Sequence, residues 1–145
     1  ASGGDGHVGA GWLSQGGRQR PIRVPATGRC LVTSVVIATT RVVGFHCWPE
    51  APEQVAYLRA IHRHEFHIRV EVVTTVDRQV EFQLLRQVVE WEVEARWPHG
   101  ATGVYFGTLS CEGIARMLLL GMAAAHPIRA VEVWEDGENG ARVEA

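Results

Sequence analysis

The chain has 145 residues, enough for one domain with its own core, and 46% hydrophobic against 21% charged residues marks it as globular rather than disordered. A net charge of −2, with all 14 basic residues arginine, excludes a nucleic-acid binder relying on bulk positive charge. The longest apolar run, "MLLLGMAAA" (117–125), falls short of the roughly 18 residues of a membrane span, and residues 1–20 lack the apolar centre of a secretory signal.

Residues 1–20 hold seven glycines and little pattern. Residues 1–29 are therefore expected to form a flexible Gly-rich arm, with one folded domain over 30–145. "CLVTSVVIATTRVVGF" (30–45) is rich in Val, Ile and Thr and reads as a long strand. Pro49 and Pro52 break it, and a short helix or loop follows at 53–60.

The next segment, "AIHRHEFHIRVEV" (60–72), is a strand with three histidines in six positions. Alternation puts His62, His64, Phe66, Ile68 and Val70 on one face, and Arg63, Glu65, His67, Arg69 and Glu71 on the other. The first face is apolar except at its start. Two imidazoles thus begin a core-facing row, where an unpartnered polar group costs about 2–7 kcal/mol. A metal ion is one partner that removes this cost. His67 falls on the wet face and reads as a surface residue.

"VDRQ" (76–79) turns the chain into a helix over 82–97, with Leu84, Leu85, Val88, Val89 and Trp91 as an apolar stripe and Pro98 as its stop. The Gly-rich loop "HGATGVYFGT" (99–108) leads to Ser110, an N-cap for a second helix over 111–125 that Pro127 closes. "IRAVEVWE" (128–135) is a strand, "DGENG" (136–140) a turn, and "ARVE" (141–144) the last strand. The order strand–strand–helix–helix–strand–strand predicts an α+β fold, with two helices on one face of an antiparallel four-stranded sheet. The long first two strands leave protruding edges, so subunits are expected to pair edge to edge and close an oligomeric barrel.

Zinc takes four ligands in structural sites and three plus water in catalytic ones. His46, at the end of the first strand, is the natural third ligand beside His62 and His64. Cys30, Cys47 and Cys111 contain no paired motif, which favours a reducing cytoplasm over a disulfide framework.

Taken together, "FH" (45–46), "HRHEF" (62–66), "VEFQLLRQVV" (80–89), "TLSCEGIARML" (108–118) and "VEVWED" (131–136) resemble, in the same order, the motifs of the 6-pyruvoyltetrahydropterin and 6-carboxytetrahydropterin synthases. These enzymes carry F-x-A-A-H on the first strand and H-G-H-x-[YF] on the second. The resemblance spans roughly 31–145 and implies the tunnelling fold, a homo-oligomer (a hexamer), and a zinc-dependent lyase acting on a pterin or purine-like heterocycle. It matches His46, His62 and His64 to the zinc ligands and Glu135 to the carboxylate that grips the pyrimidine edge of the pterin. Glu112 matches a second carboxylate near that pocket. Sites in this family lie between subunits, so Glu135 and the histidines need not come from one chain.

The match has gaps. The family's base is a cysteine four residues before the H-x-H pair, where this chain has Leu58. Its Asp-His pair meets Pro98 and His99 here. His99 stays a candidate acid–base group, and Cys47 is the thiol that could stand in for the missing cysteine. Arg63 replaces the H-x-H glycine and faces away from the metal. These gaps leave a second expectation open: a zinc-containing, catalytically silent tunnelling-fold protein that binds a ligand or serves as an oligomeric scaffold.

Overall fold

The structure, a computed structural model, describes residues 33–145. The expected arm and Cys30 lie outside the described residues. Element order is β1 (Ser34–His46), a 3₁₀ segment (Glu53–Arg59), β2 (His62–Thr74), α1 (Phe82–Arg96), β3 (His99–Gly100), β4 (Gly103–Gly107), α2 (Cys111–Met122), β5 (Ile128–Glu135) and β6 (Asn139–Glu144).

The fold is α+β, as expected, but the sheet has six strands, ordered β3-β4-β1-β2-β5-β6. The four predicted strands are neighbours, all antiparallel. The two additional strands come from the Gly-rich stretch between the helices, read from sequence as a loop. β4 lies parallel to β1, beside Gly44 to His46, so the sheet is not purely antiparallel. "GVYFG" forms this strand because Val104 and Phe106 bury on one face while Tyr105 stays exposed.

Both helices cover the face that β2 presents through Phe66, Ile68, Val70 and Val72. Leu85, Val89 and Val93 of α1 and Ile114, Leu118 and Met122 of α2 close the core over it. Glu81 caps α1, its side chain accepting from Leu84 N at 2.8 Å, and α1 ends at Arg96, just before Pro98. Ser110 caps α2 as expected, accepting from Gly113 N at 3.3 Å. α2 ends at Met122, short of the predicted 125.

The opposite face of the sheet is polar and cross-linked. Arg142 donates to both carboxylate oxygens of Glu71 at 2.9 Å, and Arg69 meets Glu71 at 2.9 Å and Glu132 at 2.7 Å. Glu71 is buried within this network, and Arg142 draws its carboxyl below the usual range by hydrogen bonding.

Candidate metal centre

Strand register brings the three histidines together. His46 is paired directly opposite His62, and Gly44 opposite His64. His62 and His64 are two apart on one strand, so all three imidazoles occupy one face at one end of the sheet. β5 flanks β2 on its other side, where Glu135 pairs with Phe66 and so faces the same way. Below the imidazoles the core is aromatic: Phe66 meets the His46 ring edge-on at 5.3 Å and Phe106 at 4.8 Å. Gly44 makes this stacking possible, since a Cβ there would lie 2.5 Å from the Phe106 ring and 2.8 Å from the Phe66 ring.

Each imidazole is oriented through Nδ1. His46 Nδ1 donates to Leu109 O at 2.9 Å and His62 Nδ1 to Ala60 O at 2.8 Å. His64 Nδ1 lies 2.6 Å from Asp136 Oδ2. A carbonyl or carboxylate oxygen can only accept, so in the neutral rings the proton resides on Nδ1 and Nε2 carries a bare lone pair. Burial lowers the pKa of His46 against the opposing pull of its Leu109 hydrogen bond, which favours this neutral form. The Nε2 atoms of all three residues are buried without a hydrogen-bond partner. One ring nitrogen from each lies within 4.8 Å of the others. Three imidazoles so arranged could hold a metal ion, and the outward Nδ1 hydrogen bonds are of the kind that orient ligating histidines. Zinc, cobalt and nickel all accept such a set.

The centre opens into a cleft of about 570 Å³. His46, Cys47, Trp48, Leu58, Cys111, Glu112 and Glu135 are among its lining residues. Ser110 and the backbone at the start of α2 lower the pKa of Glu112. Leu58 gives the cleft an apolar wall. His99 lies exposed on β3 at the edge of the sheet and is not among the cleft residues. His67 is on the polar face, bonded to Glu65 at 2.8 Å, as alternation predicted.

Glu135 and the histidines belong to one chain. Glu135 Oε1 lies 3.3 Å from His46 Nε2, and Oε2 lies 3.7 Å from His64 Nε2. Sequence reasoning missed two residues. Asp136, read as a turn residue, clamps His64 and also accepts from Glu65 N at 2.9 Å. The His64 hydrogen bond holds its carboxyl below the usual range. Cys111, read as a helix start, places its thiol 3.5 Å from Glu135 Oε1, and burial together with the Glu135 charge pushes that thiol up to about 12. The acidic pair "ED" after a strand was a signal for Asp136. Nothing local marked Cys111.

The sequence matches no protein-family model and no curated protein. The structure resembles 6-pyruvoyl tetrahydropterin synthase from Caenorhabditis elegans with a TM-score of 0.58 and 10% identity, covering 79% of this chain and 97% of that one. It also resembles an uncharacterized protein from Wolinella succinogenes with a TM-score of 0.59 and 9% identity, covering 78% of this chain and 98% of that one. Among the described residues no helix is long and apolar enough to cross a membrane. The chain therefore has the fold of a 6-pyruvoyl tetrahydropterin synthase, the tunnelling fold, with three histidines that could hold a metal ion at one end of its sheet.

Proposed function

We propose that this chain is a zinc protein of the tetrahydropterin synthase type, which takes a pterin or purine-like heterocycle into the cleft beside His46, His62 and His64. One observation carries the reading: three buried Nε2 atoms without a hydrogen-bond partner, on three rings that each bring a nitrogen within 4.8 Å of the others. Zinc in such a set polarises a carbonyl or hydroxyl oxygen of a bound molecule. Trp48 and Leu58 give a flat ring an apolar wall, and Glu112 offers an ionised acceptor for a ring N–H and its neighbouring amine. Cys47, beside His46 in the cleft, is the candidate acid–base thiol. His99 would reach such a cleft only from another subunit of a homo-oligomer, a hexamer in our reading. The free thiols of Cys47 and Cys111 suit a reducing cytoplasm.

Leu58 supports a second reading, a protein that binds the heterocycle without converting it. It stands in the cleft where a base would be needed. Zinc analysis of the purified protein, followed by incubation with dihydroneopterin triphosphate and chromatography, tests both. Near-stoichiometric zinc with a new product supports the lyase, and binding without turnover supports the binder. Protein that takes up neither zinc nor the pterin overturns the proposal.

A further inference from the structure

We propose that Glu135 is a fourth donor to the metal held by the three histidines, and that Cys111 steadies it in that place. The inference rests on the three-histidine reading and changes the role that resemblance gave Glu135, from gripping a heterocycle to filling, while no substrate is bound, the metal position that a substrate oxygen takes.

The geometry supports this in three ways. First, Glu135 Oε1 and His46 Nε2 are 3.3 Å apart, and Glu135 Oε2 and His64 Nε2 are 3.7 Å apart. Donors around a tetrahedral zinc, with bonds of about 2.0–2.1 Å, are separated by about 3.4 Å. Second, the short approach is not a hydrogen bond. His46 Nε2 has no hydrogen-bond partner, and its Nδ1 already donates to Leu109 O. A cation placed between the two atoms would be held by both. Third, Glu135 is supported from behind. The Cys111 thiol, at the first residue of α2, donates to Oε1 at 3.5 Å. Glu135 thus stands beside two of the three imidazoles, and Leu109, Ala60, Asp136 and Cys111 hydrogen-bond the four side chains from behind.

Cobalt(II) titration tests the assignment, since its visible absorption reports coordination number without any substrate. Affinity is read by chelator competition for the wild type, Glu135→Gln, Glu135→Asp, Cys111→Ala, Cys111→Ser and His62→Ala, with folding followed by circular dichroism. The wild type is expected to give the intense visible band of four-coordinate cobalt. Glu135→Gln should weaken and shift that band and lower affinity by about 100-fold, and Cys111→Ala by about tenfold with rescue in Cys111→Ser. Glu135→Asp, which keeps a carboxylate, should fall between wild type and Glu135→Gln. If both Glu135 variants bind cobalt as the wild type does, with its spectrum, while His62→Ala loses it, the carboxylate is no ligand and the proposal fails alone. If wild type and His62→Ala behave alike, the three-histidine reading fails, and this one with it.

Discussion

Asp136 does two jobs that pull on the same backbone. Its φ of 52° lies in the left-handed region, which an L-residue with a side chain seldom adopts. That conformation turns the chain from β5 to β6 and aims the carboxylate back at His64 Nδ1 and Glu65 N. Replacing Asp136 with Gly separates the two. The backbone strain is relieved, so the thermal midpoint should hold or rise, while zinc affinity falls about 10–100-fold in a chelator competition. Gly44 is a residue of the opposite kind, needed for what it lacks. The added methyl of Gly44→Ala meets Phe106 and Phe66 inside a packed stack, and urea unfolding should show a loss of about 1–3 kcal/mol.

At the level of elements, the start of α2 is where helix and cleft meet. Ser110 caps the helix, Cys111 backs Glu135, and Glu112 lines the opening. Ser110→Ala should cost about 1 kcal/mol in denaturant unfolding, with the loss concentrated in faster amide exchange over the first turn. The β2, β5 and β6 strands are tied on the polar face by Glu71 and its arginines. Because Arg142 holds the folded pKa of Glu71 below its ordinary value near 4.5, the contribution is fully present above that value. It is lost as pH falls through the lower folded pKa. The thermal midpoint should therefore drop on acidification below about pH 4.5, and Glu71→Gln should flatten that drop while starting from a lower midpoint.

At the scale of the molecule, the sheet formed by the described residues is open at its sides. β1 has β4 beside only Gly44 to His46, so among the described residues its outer edge from Ser34 to Val43 has no partner strand, and neither does the outer edge of β6. Unpaired edges of this length invite strand addition. Light scattering behind size exclusion should therefore give a mass several times 16.0 kDa, and a monomer at micromolar concentration would refute edge pairing.

Alternation along 62–74 told which face each residue takes, and the run of apolar positions placed Phe66, Ile68 and Val70 in the core and His62 and His64 at its rim. Those are short-range properties of an extended chain, legible wherever a strand can be recognised. The Ser110 cap and the Pro98 stop were equally local. What local pattern could not supply was the pairing. The 46–62 register, the placing of β4 alongside β1, the contact from Asp136 to His64 across 72 residues and that from Cys111 to Glu135 across 24 all follow from which strand lies beside which. Sequence determined that three imidazoles would stand at strand ends. Tertiary packing decided that their lone pairs meet, that a carboxylate joins them, and that His99 stays apart, because only the assembled sheet converts distant positions into neighbours.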